Sequence, residues 1–339
     1  MRFGLLITNQ HPPSDHPGER LAETIEQVRL ARALGFDLIV FGQHFLVTDF
    51  QMLQPAMAAA RLAAEAGPMR VGVTIYLLSL LNPVAVAEEV ATLDIITGGR
   101  FIFGIGLGYR EIEDQAFGLG KGERVSRLLR HLEVIRRLWA GEAVTFESPY
   151  CRLTNARTAL RPVQRPHPPV WVAANNDQAV ERAAQIGDAW IINPHATIQT
   201  IARQLGLYRA ALARAGKPFP AELPMMREIY VAESRSEAVR LARPYLEKKY
   251  QAYVQWGQHR ALPRDDDMTQ AFEDLVRDRF ILGDPVECAA EIRRCVEATG
   301  ATTMIFRVHW SGMPHETVTR AMRLLAEKVR PLVELTRAG

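Results

Sequence analysis

The feature that most constrains the fold is an alternation of short apolar runs with amphipathic segments, repeated eight times along the chain. Each apolar run is nearly continuous, as in strands that are buried on both faces of a parallel sheet. Each following segment carries apolar residues at helical spacing. The predicted strands span residues 3–8, 37–41, 70–75, 100–105, 170–174, 189–193, 225–232 and 303–308.

This alternation predicts an α/β chain folded as one (β/α)8 TIM barrel over residues 1–339, with insertion segments. Strand–helix–strand crossovers give parallel sheets, and eight such units suit closure into a barrel. An open, doubly wound sheet is the alternative. No linker rich in Pro, Gly and Ser divides the chain, which favours one domain. Residues 141–168 contain four prolines and interrupt the rhythm, so we interpret them as an insertion before the fifth strand.

Composition excludes several classes of function. The formal net charge of +3 is mild, and Lys and Arg do not cluster with aromatic residues, so we expect no nucleic-acid partner. No apolar run reaches the ~18 residues of a membrane span, and the N-terminus does not resemble a signal peptide. Cys288 and Cys295 lie about 10 Å apart on a predicted helix, too far for a disulfide. We therefore predict a cytoplasmic protein without a membrane contact, and no spacing predicts a metal site.

Polar and aromatic residues collect just after the predicted strands, where a TIM barrel places its active site. They follow the first, second, fifth, sixth and eighth strands, and include Asn9, Gln10, Gln43, His44, Asn175, Asn176, Asn193, His195, His309 and Trp310. His44 by itself fits a buried core histidine equally well.

Three glycines, at positions 104, 106 and 108, lie at the end of the fourth strand and just after it. The dinucleotide fingerprint G-x-G-x-x-G requires a further glycine where Tyr109 stands, so a Rossmann site is excluded. Two interpretations remain. The segment is either a tight turn at the barrel rim or a place where backbone approaches a cofactor, which glycine permits because it lacks a Cβ.

The fifth strand runs through Ala174, Asn175 and Asn176 into a helix, an arrangement that can bind an anion. The first turn of a helix offers free N–H groups and a partial positive charge. Either asparagine can cap this helix. Capping without a ligand is the alternative, and Asp177 favours it because a carboxylate repels phosphate.

Five segments in order resemble the bacterial-luciferase-like flavin-dependent monooxygenase family. Residues 82–109 (NPVAVAEEVATLDIITGGRFIFGIGLGY) are the most specific, and the others are residues 36–45, 161–191, 280–294 and 312–333. The resemblance implies an enzyme in which reduced FMN and O2 oxidise a small organic substrate. It also implies a separate flavin reductase and a homodimer. An F420-dependent oxidoreductase on the same barrel and a catalytically silent flavin-binding protein are the alternatives.

The resemblance also implies roles for individual residues. Thr74, Ile75 and Tyr76 would lie beside the isoalloxazine ring, and the ribityl phosphate would contact Gly106, Leu107, Gly108, Tyr109, Ala174, Asn175 and Asn176. His44 would be catalytic, stabilising an anion or moving a proton. Gln43, Asn193, Arg279 and Trp310 would contact the substrate or belong to a lid formed by residues 257–283, which otherwise are a disordered polar loop. Aromatic residues at the rim (Phe3, Phe41, Tyr76, Tyr109, Trp310) predict a largely apolar substrate.

The chain departs from the family pattern at three places, which bear on these residue roles. Gly42 and Gln43 replace an acidic residue and a histidine that often precede His44. Leu107 stands where many members have an arginine for the phosphate. Val125 replaces a phosphate-binding tyrosine of related sulfonate-type members. We hypothesise that Arg110 supplies the missing positive charge.

Overall fold

Eight parallel strands close into a barrel in the computed structural model, which describes residues 1–335 of the chain. Each strand pairs with the next along the chain, β8 pairs with β1, and a single pair, Ile192 with Met225, joins β6 to β7. The predicted (β/α)8 barrel is therefore confirmed. The strands are β1 (Arg2–Leu6), β2 (Leu38–Phe41), β3 (Arg70–Leu77), β4 (Phe101–Gly106), β5 (Val170–Ala174), β6 (Ala189–Ile192), β7 (Pro224–Val231) and β8 (Thr303–Arg307).

Helices connect the strands and form the outer layer. They are α1 (Pro17–Ala33), α2 (Pro55–Ala66), α3 (Pro83–Ile96), α4 (Glu111–Ala116), α5 (Arg124–Ala140), α6 (Asp177–Ile186), α7 (Ile198–Arg214), α8 (Arg235–Gln255), α9 (Phe272–Arg279), α10 (Pro285–Thr299), α11 (His315–Leu324) and α12 (Arg330–Leu335), with a π-helical turn at Leu325–Val329 and a 3₁₀ helix at Gln258–Ala261. Within the described residues, each helix is too short or too polar to span a bilayer.

Alternation along the strands divides the core into two regions. Leu38 and Val40 of β2 point into the barrel, whereas Ile39 and Phe41 pack against the surrounding helices. Small residues make room for large neighbours inside the barrel. A Cβ on Gly72 would lie 2.9 Å from the Cβ of Ile102, so only glycine fits there.

Several helix boundaries follow directly from local sequence. Pro83 occupies the first turn of α3, as predicted, and Asn82 caps that helix by accepting from two backbone N–H groups. Gly35 ends α1 with a positive φ of 73°. Cys288 and Cys295 both lie on α10, buried and as free thiols.

The prediction that residues 257–283 are loop-like is wrong in large part. The segment contains the 3₁₀ helix, α9 and a ninth parallel strand, Phe280–Gly283, which pairs with the second half of β7. The second half of β7 therefore lies between two strands. At Glu228, for example, the backbone pairs with Arg307 of β8 on one side and with Phe280 on the other. The prediction failed because the segment contains many charged residues, whereas its amphipathic helix is short and its strand has only four residues.

Two antiparallel ribbons lie outside the barrel. Val144–Ser148 pairs with Cys151–Ala156 within the segment predicted to be an insertion. Gln10–His11 pairs with Gln51–Met52 and joins the loops that follow β1 and β2. The second ribbon holds these two loops together at the end of the barrel where the strands terminate.

Candidate active site

A cavity of about 810 Å³ opens at the carboxyl ends of the strands. This lies in the upper part of the range of roughly 300–1,000 Å³ usual for small-molecule and cofactor sites. Most of the predicted site residues line it, namely Gln43, His44, Thr74, Ile75, Gly106, Leu107, Gly108, Tyr109, Ala174, Asn175, Asn176 and Asn193. Tyr76, Arg279 and Trp310 do not.

The second half of β3 explains why Tyr76 faces away from the cavity. The register against β4 shifts between Val73 and Tyr76, so Thr74 and Ile75 both line the cavity although they are consecutive. Tyr76 then points outward, where its ring packs 5.5 Å from that of Phe103. The Oγ1 of Thr74 is buried at the cavity wall and has no hydrogen-bond partner within residues 1–335.

Two glycines shape the turn after β4. A Cβ on Gly106 would lie 2.0 Å from the Cδ1 of Ile75, so any larger residue would displace the end of that side chain. Gly108 has a φ of 74°, a conformation that other residues rarely adopt. Both sequence interpretations of this segment therefore apply, since it is a tight turn and it also lines the cavity.

At the start of α6, Asn176 is the N-cap and its side chain accepts from the Ala179 N–H at 3.0 Å. The carboxylate of Asp177 turns away to Arg203 on α7, with contacts of 2.6 and 3.0 Å. The hydrogen bond with Arg203 lowers the pKa of Asp177, so this group is ionised but paired. The repulsion that we expected between Asp177 and a phosphate is thereby reduced.

His44 is held between two side chains that follow β4. Its Nδ1 lies 3.1 Å from the Oε1 of Glu113, and its Nε2 lies 3.3 Å from the hydroxyl of Tyr109. The imidazole also packs edge-on against the ring of Trp256, at 5.3 Å between centroids. This histidine is therefore fixed in orientation at the cavity wall and is not a filler of the hydrophobic core.

The carboxylate of Glu113 is the charged partner of this histidine. Burial raises the pKa of Glu113, but hydrogen bonds from His44 and from the Phe45 N–H, together with the charge of Arg110, outweigh burial and lower it. Glu113 is thus ionised near neutral pH. Because a carboxylate only accepts, the proton between the two groups lies on Nδ1 of His44.

Arg110 does not fit the phosphate role that we hypothesised from the sequence. Its guanidinium donates to the carbonyl oxygens of Phe45 and Leu46 and to Glu113, and it stacks 4.7 Å from the ring centroid of Trp256. These contacts fix the loop after β2. Three other arginines line the cavity: Arg307, Arg124, which is paired with Asp114, and Arg260, which is exposed and has no side-chain partner within residues 1–335.

The deep end of the cavity is polar. Lys249, Tyr253, His195 and Arg307 all line it. Lys249 forms an ion pair with Glu228, whose second oxygen accepts from the indole of Trp310 at 2.6 Å. Trp310 therefore acts on the cavity only through Glu228. The predicted apolar rim is also wrong, because Phe3 and Phe41 are core residues and only Tyr109 of the five rim residues lines the cavity.

Gln43, Asn193 and Arg279 use their hydrogen bonds within the protein. Gln43 accepts from the Leu77 N–H at 2.9 Å, and Asn193 accepts from the His195 N–H at 2.8 Å. Arg279 pairs with buried Asp266 and donates to the carbonyl of His195 at 2.6 Å. These residues shape the loops around the cavity. The described residues hold no cluster of His, Cys, Asp or Glu that could bind a metal ion.

Sequence reasoning missed the partners of the predicted residues. Glu113, Lys249, Tyr253, Trp256 and Arg307 all lie at or beside the cavity, yet none follows a predicted strand in an obvious motif. The only available signal for Glu113 was its place one turn after the glycine-rich segment.

Lowering the pH should remove the stabilisation that ionised Glu113 provides. Its pKa in the folded protein is below the ordinary value of 4.5, so this contribution is present above that pH and is lost as the pH falls through the folded value. Urea unfolding between neutral and acidic pH should therefore show a smaller decline in stability for Glu113→Gln than for the wild type. Glu111→Gln, an exposed carboxylate on the same helix, is the matched control and should follow the wild type.

Comparison with known proteins supports an enzyme of one family. A family model described as luciferase-like monooxygenase matches residues 1–303. The chain is 25% identical over 340 residues to 4-hydroxyprotoasukamycin monooxygenase from Streptomyces nodosus subsp. asukaensis, covering 97% of this chain and 91% of the relative. It is 26% identical over 242 residues to the oxygenase component of flavin-dependent trigonelline monooxygenase from Acinetobacter baylyi, covering 70% and 67%.

Solved structures share the fold along nearly the whole chain. Monooxygenase RslO1 from Streptomyces bottropensis superposes with a TM-score of 0.86 at 28% identity, covering 98% of this chain and 99% of that one. At lower identity, the FMN complex of the oxygenating constituent of 3,6-diketocamphane monooxygenase from Pseudomonas putida (17%, TM-score 0.82, 98% of both chains) shows the same fold. An F420-dependent secondary alcohol dehydrogenase (19%, TM-score 0.79, 98% of both chains) does so as well.

Proposed function

Because this chain belongs to the luciferase-like monooxygenase family, we propose that it is the oxygenase of a two-component system that uses reduced FMN and O2 to oxidise a small organic molecule. The observation that carries the proposal is His44, fixed between Glu113 and Tyr109 at the wall of a cavity of about 810 Å³. That volume leaves room for a flavin together with a second small molecule.

The residues of the cavity fit a flavin. The unpartnered Oγ1 of Thr74 offers a hydrogen bond to the polar edge of a planar ring, and Ile75 offers an apolar wall. Gly106 lines the cavity without a Cβ, so a ligand can approach its backbone closely. The turn at 106–109 and residues 174–176 would hold the ribityl phosphate.

Reduced flavin, when bound, supplies the two electrons with which O2 is activated. With those electrons, one oxygen atom would enter the substrate and the other would leave as water. His44 is placed to hold or move a proton at Nε2, because its Nδ1 is committed to Glu113 and the Tyr109 hydroxyl reaches the other nitrogen. The rings of Tyr253 and Trp256, 5.0 Å apart, wall the cavity and limit the access of water.

Two features favour a flavin that exchanges with a reductase. Leu107 and Val125 carry no charge, and Arg110 is bound by the protein, so few cations remain for the phosphate. Two related proteins are named as an oxygenase component and an oxygenating constituent, which indicates a separate reductase in their systems. We extend this to the present chain, and a flavin reductase is its proposed partner.

The test is a titration with FMN and with F420, followed by mixing with reduced FMN and O2. Binding of FMN, with uptake of O2 and incorporation of labelled oxygen into an organic substrate from a screened panel, is the expected outcome. Binding of F420 alone would replace the proposal with an F420-dependent oxidoreductase. Binding of FMN without oxygenation of any compound in the panel would point to a silent flavin-binding protein.

Arg260→Ala should weaken FMN binding by about 3- to 10-fold, because an exposed arginine contributes a modest charge-assisted interaction with phosphate. Riboflavin lacks the phosphate, so its affinity should not change. Arg264→Ala is the matched control, since Arg264 is exposed on the same segment but does not line the cavity. An FMN dissociation constant that moves only in Arg110→Ala would restore our hypothesis for Arg110.

A further inference from the structure

The deep end of the cavity contains more buried positive than negative charge. Four buried cations (Arg227, Lys249, Arg279, Arg307) surround His195, whereas the buried carboxylates there are Glu228 and Asp266. Lys249 and Arg279 are paired with these two carboxylates. Arg227 and Arg307 contact only neutral acceptors within the described residues. Burial of a cation without a counter-ion is costly, so this end of the cavity favours an anion.

Of the two buried cations without a counter-ion, Arg307 is the one that lines the cavity. It is 7% exposed and donates to the Gln10 Oε1 at 2.8 Å, the Thr8 Oγ1 at 3.4 Å and the His309 carbonyl at 3.2 Å. No carboxylate of residues 1–335 reaches it. Its guanidinium is therefore positioned by neutral groups and has no ion-pair partner within the described residues.

Tyr253 and His195 lie next to this cation. The Tyr253 hydroxyl oxygen accepts from Gln10 at 3.2 Å and also from Arg307. Burial raises the pKa of Tyr253, but Arg307 and Lys249 outweigh burial and lower it. His195 is buried, its Nδ1 has no partner within the described chain, and burial together with the same cations holds its pKa far below the usual range. It can donate or accept a hydrogen bond without adding charge.

We propose that Arg307, with Tyr253, Lys249 and His195, binds the acidic group of the organic substrate, a carboxylate or phenolate carried on an apolar body. This deepens the proposed function and rests on it. The remaining wall at this depth supplies the apolar contacts, from Met52, Ile191 and Met226. Tyr253 separates this group from His44, whose ring centroid lies 6.2 Å from that of Tyr253. The substrate would thus be oriented with its charge at Arg307 and its reacting part toward His44.

The test compares benzoate and 3-phenylpropionate with their uncharged amides by calorimetry, with and without FMN. The wild type should prefer each carboxylate by about 10- to 100-fold, the usual effect of a buried charge-assisted hydrogen bond. Arg307→Gln should reduce this preference to nearly none. It removes a buried charge that lacks a counter-ion, so we expect it to fold and to bind FMN as the wild type does.

Lys248→Gln is the matched control, because it also removes one positive charge and Lys248 is exposed on α8 beside Lys249. It should retain the preference for carboxylates. Equal affinity for acid and amide, a preference that persists in Arg307→Gln, or no binding of either carboxylate would overturn the proposal.

Two further outcomes identify other occupants. If Arg307→Gln weakens the binding of reduced FMN but not of oxidised FMN, and leaves the carboxylate preference intact, then Arg307 binds the flavin and not the substrate. If ultraviolet absorbance shows tyrosinate in the wild type near neutral pH and Tyr253→Phe removes it, Tyr253 is itself the counter-ion. Both overturn the substrate assignment. Because FMN binding is measured separately, failure of the proposed function can be distinguished from failure of the substrate assignment.

Discussion

His44→Asn should lower the rate of substrate oxygenation by about 100- to 10,000-fold, the range typical for loss of a group that transfers a proton. The asparagine amide can still donate to Glu113 as Nδ1 does, but nothing replaces Nε2 beside the Tyr109 hydroxyl. The loop should therefore stay in place while the proton-handling atom is lost. The measurement is single-turnover formation of product with reduced FMN and O2, using a substrate that the wild type oxidises.

Binding of FMN should change little in His44→Asn, because the phosphate and ring contacts that we propose come from other segments. His315→Asn is the matched control, since His315 lies outside the cavity and pairs with Glu26 at 3.1 Å. It should leave the rate unchanged. A His44→Asn enzyme with the rate of the wild type would show that this histidine only positions the loop after β2.

Arg279→Met should lower the free energy of unfolding by about 3–5 kcal/mol, because it leaves Asp266 buried without its cation. The same arginine fixes the His195 and Asp267 carbonyls, and Asp266 accepts from Thr197 on the neighbouring loop. Loss of these contacts should expose residues 257–283 to proteolysis. Urea unfolding and limited proteolysis measure the two effects.

Arg277→Met is the matched control for Arg279, because its side chain is 78% exposed and its ion pair with Asp274 lies at the surface. Its effect should stay within about 0.5 kcal/mol. Adding Asp266→Asn to Arg279→Met should restore part of the lost stability, since the buried charge disappears. Equal unfolding free energies for the Arg279 and Arg277 variants would contradict this account and would leave Arg279 free to act in a mobile lid.

Local signals in the sequence predicted the barrel well. The strand predicted at residues 170–174 is the observed Val170–Ala174, and the helix start at Asn176 follows from its capping side chain. Such features depend on a few neighbouring residues. The strand Phe280–Gly283 was missed because its ladder is completed by β7, about fifty residues earlier in the chain, as its register shows.

The sequence predicted the location of the site more accurately than the contacts of its side chains. Twelve of the fifteen predicted residues line the cavity, because the carboxyl ends of barrel strands meet at one face. Tyr76 was placed wrongly with respect to the cavity, since alternation along β3 is broken by a register shift that the sequence does not reveal.

By itself, the sequence determined the eight strand–helix units, the end of the barrel that carries the site and the resemblance to a flavin-dependent family. Only the tertiary structure decided which side chains act together. Glu113 meets His44 across 69 positions of sequence, and Arg307 meets Gln10 across 297. The physical reason is that periodicity reports how a segment is buried, whereas these partnerships arise only when barrel closure brings distant loops to the same cavity.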